Sequence, residues 1–301
     1  MKNMDNEDDN TQRNEVIMIT QTRLNNGVLM PIEGFGVFQI SDAAQCRDAV
    51  GYALQTGYRL IDTAAVYDNE IAVGEVIKES GIDRNEIFLT TKVWTNQMGY
   101  DRTMRAFDNS LKRLGQDYLD LYLIHMPYGD IAGSWRAMEQ LHRDGRVRSI
   151  GVCNFSEAHL TDLCLSSSIA PMVNQVECHP FTQQTGMLEL CRETGIQLEA
   201  WAPFAEGRKE IFKHPLLSGI ARSHGKTVAQ VILRWNIQRG VVVIPKSIRH
   251  ERIIENFDVL DFSLSENEMS LIAGLDSHKA LIFDYDKVDE VKRIYSIPCP
   301  E

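Results

Sequence analysis

The sequence predicts an α/β fold, a single-domain (β/α)8 TIM barrel preceded by an N-terminal β-hairpin, and three observations predict it. Short apolar runs of strand character recur eight times, amphipathic segments fill the gaps, and no Gly-x-Gly-x-x-Gly follows an early strand. Strands alternating with helices give parallel β/α units. Eight such units without a second domain favour closure over an open doubly wound sheet, and the ~250 residues usual for the barrel fit within the chain. Gly34-Phe35-Gly36 is too short for a dinucleotide fingerprint and lacks its third glycine.

The elements follow in order. The opening MKNMDNEDDNTQRN is polar and acidic, with no apolar core of a secretory signal. Residues 1–15 are expected to be a disordered acidic tail, having almost nothing to bury, and residues 16–301 to form the barrel. A hairpin is expected over Val16–Thr22 and Val28–Met30, turned at Asn25-Asn26-Gly27, because Asn-Gly suits a primed turn. The eight barrel strands are expected at Gly34–Phe38, Tyr58–Asp62, Ile87–Val93, Leu119–His125, Ser149–Cys153, Met172–Val176, Gln197–Ala202 and Val241–Ile244. Between them, Met104, Phe107, Leu111 and Leu114 share one helical face, stopped by Gly115. Val228, Val231, Ile232 and Trp235 do the same before Gly240, and Ser156 can cap a helix carrying Leu160 and Leu163.

Composition narrows the function. The chain has 301 residues, 44% hydrophobic and 24% charged, and a formal net charge of −11. So acidic a surface is a poor general partner for nucleic acid or anionic membrane, since phosphates need a basic face. No apolar run approaches the ~20 residues of a membrane span. The 6 cysteines include no CxxC pair, which points to buried thiols and a cytoplasmic protein.

In such a barrel, chemistry gathers where strands end and β→α loops begin. Asp62 closes RLID, Tyr67 lies in the loop after it, Lys92 ends FLTTK and His125 ends LDLYLIH. A free phenol, with a pKa near ~10, is a weak acid catalyst at neutral pH. An adjacent ammonium stabilises phenolate, a carboxylate holds the ammonium charged, and an imidazole can orient a substrate carbonyl. Singly, each has an ordinary reading: Asp62 as a helix cap, Tyr67 or Lys92 as solvated, His125 as a core histidine. Asp62 and His125 could also serve a metal-dependent hydrolase, although no HExxH or Cys/His cluster accompanies them. Four such residues at the ends of three consecutive strands make a stronger pattern than any one.

Residues 57–70, GYRLIDTAAVYDNE, resemble the first motif of the aldo-keto reductase family. YLDLYLIHMP at 118–127 and IPKSIRHERIIEN at 244–256 resemble two more, and the likeness runs from about residue 16 to about 295. The resemblance implies hydride transfer from NADPH to an aldehyde or ketone, with Tyr67 as general acid. It makes Lys92 the partner that lowers the Tyr67 pKa, Asp62 the residue holding Lys92, and His125 the residue orienting substrate. Channel β-subunits share this fold, so a nucleotide-sensing regulatory subunit is the rival reading.

On the cofactor side, the resemblance assigns Gly36, Val37, Asp62, Asn154, Gln175, Trp201, Ala202, Pro203 and Phe204 to cofactor binding. Asn154 and Gln175 would bind the nicotinamide carboxamide and Trp201 would stack on the ring. Lys246, Ser247 and Arg252 would grip a 2′-phosphate, and Glu255 and Asn256 the adenine. The basic run at 246–252 also follows the eighth strand and opens a helix, where N–H groups favour anions. Three positions depart from common family usage: Cys153 stands where Ser is usual, and Phe38 and Met126 stand where many members carry Trp. Trp201 is similar to the bacterial 2,5-diketogluconate reductase-like members. Phe38, Trp94 and Met126, with His125, are the expected substrate walls. The tail after residue 276 is short, which predicts an open pocket for a small carbonyl, and the protein is expected to be a monomer.

Overall fold

The computed structural model describes residues 21–300. The expected acidic tail and residues 16–20 of the hairpin lie outside this range. The described part of the hairpin pairs β1 (Gln21–Arg23) antiparallel with β2 (Leu29–Pro31), in the register Thr22↔Met30. Its turn closes with the Gly27 amide on the Leu24 carbonyl at 2.8 Å, and Gly27 takes φ 87°. That backbone region favours glycine, which lacks the Cβ that clashes there.

Eight parallel strands follow: β3 (Phe35–Gly36), β4 (Leu60–Asp62), β5 (Phe88–Val93), β6 (Leu119–Ile124), β7 (Val147–Cys153), β8 (Val173–Glu177), β9 (Gln197–Trp201) and β10 (Val242–Val243). They form one sheet in chain order. The ring closes between its ends: Gly34 N–H donates to Val243 O at 2.8 Å, and Val243 N–H to Ile32 O at 3.1 Å. Each expected strand is present, most of them shortened. The first is cut from Gly34–Phe38 to two residues because Val37 already turns away, its N–H on Asp62 O.

The helices are α1 (Ala43–Thr56), α2 (Glu70–Glu79), α3 (Tyr100–Leu114), α4 (Ile131–Arg143), α5 (Glu157–Ser166) and α6 (Thr185–Thr194). They continue as α7 (Pro215–His224), α8 (Val228–Gln238), α9 (His250–Phe257), α10 (Glu266–Ala273) and α11 (Val288–Ser296). Gly115 ends α3 at φ 61°, and Ser156 caps α5 through the His159 N–H, as the sequence predicts. Thr227 and Gln230 form a reciprocal capping box on α8, which stops at Arg239 just before Gly240. The helices bury apolar faces against the ring, and Trp135, Trp235 and Tyr58 are almost wholly inside.

The two ends of the barrel are chemically different. At the N-terminal end the hairpin acts as a plug: Asn25 donates to Pro171 O and Asn26 to Arg148 O, both at 2.9 Å. There the wholly buried Asp120 accepts from Arg84 at 2.7 Å, Arg148 at 2.9 Å and the Leu89 amide at 3.0 Å. A carboxylate satisfied this fully serves the fold. The C-terminal end carries the cavity. Among the described residues no helix is long and apolar enough to cross a membrane.

Candidate active site

Parallel register brings the four candidate residues together. Asp62 ends β4, Lys92 stands one residue before the end of β5, and His125 follows β6 directly. Tyr67 ends the short 3-10 turn Ala65–Tyr67 that leaves β4. The Lys92 ammonium donates to Asp62 Oδ1 at 2.6 Å and to the Thr63 carbonyl at 2.9 Å. It also lies 5.1 Å from the centre of the Tyr67 ring. His125 meets Tyr67 edge to face at 5.5 Å and Trp94 at 4.9 Å. Phe38 packs on the other side of Tyr67 at 5.0 Å.

Burial dominates the electrostatics. Desolvation lowers the Lys92 pKa most, but Asp62, through its charge and its hydrogen bond, acts with Tyr67 and Cys153 to outweigh it, and the net shift is upward. Burial, and then Lys92, push His125 well below its ordinary value, so the ring is neutral at neutral pH. The Tyr67 phenol stands above its ordinary value because burial outweighs the pull of Lys92, while Asp62 adds to the rise. Lys92 does pull the phenol down, as the sequence leads one to expect, but burial pushes it up by more. Lys92 opposes the rise without reversing it, and Tyr67 is a protonated donor.

Behind this set lies a second layer. The Gln175 amide donates from one nitrogen to Asp62 Oδ2 and to Glu199 Oε2, each at 2.9 Å. The Cys153 thiol sits 3.8 Å from Gln175 Oε1, a weak S–H donor where a hydroxyl would bond more strongly. Burial raises the Cys153 pKa well above the usual thiol value and keeps it protonated. Burial, then the neighbouring Asp62, lift Glu199 to about 8, opposed by Gln175 and Lys92. Glu199 was not anticipated, although an acid inside the apolar run QLEAW is a legible anomaly.

One cavity of about 1150 Å³ joins the chemistry to the basic run. It is lined by every expected site residue except Lys92, which is wholly buried behind it, and Val37, which is likewise buried. At its far end stand Lys246, Ser247, Arg252, Glu255 and Asn256. Among the described residues neither Lys246 nor Arg252 forms an ion pair, so both cations are open to an anion. Ser247 Oγ accepts the Arg249 amide at 3.1 Å, which shapes the turn into α9. Glu255 takes the Thr227 hydroxyl at 2.8 Å.

Asn154 is more heavily engaged than expected. Its φ is 65°, its amide donates to His125 O at 3.0 Å, and its oxygen accepts from Trp201 Nε1 at 2.8 Å. The same oxygen accepts from the hydroxyl of Tyr285. Tyr285 belongs to the C-terminal tail, and this contact corrects the expectation of an open pocket. Ile282, Phe283, Tyr285, Ile294 and Ile297 all line the cavity, and Trp94 Nε1 donates to Ile297 O at 3.2 Å. Trp94 is left 2% exposed, packed against Phe283 and Ile294.

Among the described residues no cluster of three or more His, Cys, Asp and Glu is placed to hold a metal ion. Asp62 spends its oxygens on Lys92 and Gln175, which gives the metal-hydrolase reading no support.

The raised Glu199 pKa makes a prediction about stability. An acid whose pKa is higher folded than unfolded binds more protons in the native state between those values. Stability therefore falls as pH rises from the ordinary carboxyl value, 4.5, toward about 8. Glu199→Gln should raise Tm relative to the parent more at about pH 9 than at about pH 5. Thermal melts at the two pH values check it, and a Tm difference independent of pH would contradict it.

Comparison with known proteins agrees with this geometry. A family profile described as "Aldo/keto reductase family" matches residues 34–277. The chain is 51% identical over 254 residues to the glyoxal reductase of Bacillus subtilis (strain 168), covering 84% of this chain and 91% of that one. An aldo-keto reductase from a deep-sea metagenome library superposes with a TM-score of 0.86 at 45% identity, over 89% of this chain and 99% of its own. A Bombyx mori aldo-keto reductase solved in complex with NADP superposes at 0.83 with 34% identity, over 90% of this chain and 96% of its own. A barrel with a buried Lys–Asp pair under a tyrosine, matched along most of its length, leaves one assignment: the chain belongs to the aldo/keto reductase family.

Proposed function

We propose that this protein reduces aldehydes and ketones to alcohols with NADPH, using Tyr67 as the general acid. The observation that carries the reading is the Lys92 ammonium, wholly buried, 2.6 Å from Asp62 and under the Tyr67 ring. A protein does not bury a lysine under a phenol for stability alone, because desolvating the charge costs several kcal/mol.

When bound, NADPH supplies the hydride to the carbonyl carbon. The residues here handle the rest. His125, neutral, donates an N–H to the carbonyl oxygen and fixes its direction toward Tyr67. As negative charge grows on that oxygen, the Tyr67 O–H passes its proton to it. Lys92 then stabilises the phenolate left behind, and Asp62 keeps Lys92 charged and in place. The donor set suits the cofactor. Gln175 has its nitrogen committed to Asp62 and Glu199, while its oxygen takes only the weak Cys153 thiol and keeps a lone pair for a carboxamide. Lys246 and Arg252 stand at the other end of the same cavity, suited to a 2′-phosphate. Asn154, Trp201, Ala202, Pro203 and Phe204 would flank the nicotinamide, and Glu255 and Asn256 the adenine. Nothing specific favours the regulatory-subunit reading.

The proposed substrates are small aldehydes and activated dicarbonyls, as the 51% identical relative named a glyoxal reductase suggests. The likeness to the diketogluconate reductase branch rests on Trp201 and stays a proposal. So do a cytoplasmic setting, which all six thiols being free supports, and a monomeric state.

Tyr67→Phe should lower kcat by about 10²–10⁴-fold while NADPH binding stays near that of the parent. Steady-state rates with methylglyoxal, beside fluorescence titration of NADPH, check this, and a near-normal kcat would remove Tyr67 from its role. NADPH should bind more tightly than NADH, and Lys246→Ala with Arg252→Ala should narrow the gap by weakening NADPH alone. Equal dissociation constants for the two nucleotides in the parent protein would refute the phosphate assignment.

A further inference from the structure

Glu177 ends β8, is buried, and does not line the cavity. Its carboxylate nevertheless collects three successive backbone amides from a segment about a hundred residues later in the chain. Leu281 N–H reaches Oε1 at 2.8 Å, Ile282 N–H reaches Oε1 at 3.1 Å and Oε2 at 3.2 Å, and Phe283 N–H reaches Oε2 at 3.3 Å. His179 adds a fourth donor to Oε1 at 3.0 Å. The other nitrogen of that ring accepts the Phe181 amide at 3.2 Å, so the ring proton lies on the side facing Glu177.

Consecutive amides converging on an anion form a concave, charge-assisted site. Here the anion belongs to the barrel and the amides belong to the tail. From that tie the tail crosses the pocket. Phe283 packs with Trp94 and Ile294, and the Tyr285 hydroxyl donates to Asn154. Tyr128 holds the Tyr285 carbonyl from below at 2.7 Å. Trp94 in turn touches the His125 ring at 4.9 Å, so the strap begins one contact away from the catalytic set.

We propose that Glu177 is a positioning residue for substrate selection: it seats the strap 281–285 so that Phe283 and Tyr285 form the wall opposite Tyr67 and His125, sizing the pocket for small carbonyls. This rests on the reductase reading above. The wall holds a short substrate against the two polar anchors and leaves less room for a bulky one. An apolar wall of this kind discriminates by about 10- to 200-fold per methylene-sized difference. A neutral amide at this position would keep one acceptor oxygen but turn an NH₂ toward backbone N–H groups, donor against donor. The tie to the strap would then open.

The test compares Glu177→Gln with the parent on methylglyoxal and on a bulky aromatic aldehyde, with trypsin cleavage of the tail measured alongside. The expected result is a KM for methylglyoxal raised about tenfold, a smaller change in kcat, and a KM for the bulky aldehyde that is unchanged or lower. Cleavage at Lys279, Lys287, Lys292 or Arg293 should speed up. A purely structural role would move Tm without splitting the two KM values. Equal changes in both KM values, or an unchanged methylglyoxal KM, would overturn the proposal. Should Glu177→Gln fail to fold, Glu177→Asp decides the matter: it keeps the charge but draws the carboxylate back from the strap amides, so it must show the same split, and its absence overturns the proposal. Turnover of methylglyoxal by the parent tests the reductase reading separately, so the two can fail independently.

Discussion

The buried pair of Lys92 and Asp62 is the constraint around which the rest of this structure is arranged. Two ions taken out of water cost several kcal/mol each, and their attraction repays that only when geometry is close and the remaining donors and acceptors are met. The barrel meets these terms with a 2.6 Å contact, a second bond from Lys92 to the Thr63 carbonyl, and the Gln175 amide on the outer oxygen of Asp62. None of these partners is local in sequence. They meet because parallel strands in register deliver the ends of β4, β5 and β8 to the same rim.

The charge balance follows from the pair. Asp62 and Lys92 are both charged, whereas burial keeps His125 and Cys153 neutral and lifts Glu199 to about 8. At neutral pH the inner site therefore holds one cation and one anion, with neutral donors around them. A growing negative charge on a substrate oxygen meets a fixed ammonium and oriented N–H and O–H groups, which need little rearrangement during reaction. The C-terminal tail completes the enclosure, since Trp94 bonds to Ile297 and Asn154 accepts from Tyr285.

Much of this was legible in the sequence, for a physical reason. Strand-length apolar runs ending in Asp62, Lys92 and His125 stand out because a polar group ending a buried strand needs a purpose. Closure was read from the strand count, and the bonds from Gly34 and Val243 complete it. The layer behind the site was less legible. Glu199 sits between Leu198 and Ala200 in a mostly apolar strand, and only the fold shows that the Gln175 amide donates to both Asp62 and Glu199. The length of the tail after residue 276 does not report its reach across the pocket, because that reach depends on where the tail is anchored. Glu177, a hundred residues earlier, supplies that anchor, and no local pattern in HKALIFDYD reports it. The pull of Lys92 on Tyr67 is legible, but the larger opposing push of burial can be judged only from the packed site.

The most direct test of the central claim is the single-turnover rate of Lys92→Met with NADPH bound and a small aldehyde added. If the buried ammonium exists to stabilise the phenolate of Tyr67, that rate should fall by at least about 100-fold, the usual scale for losing an acid–base partner. NADPH affinity, set largely at the far end of the cavity, should change little. A Lys92→Met protein that reduces the aldehyde at close to the parent rate would contradict the account, because the ion pair would then serve the fold and not the chemistry.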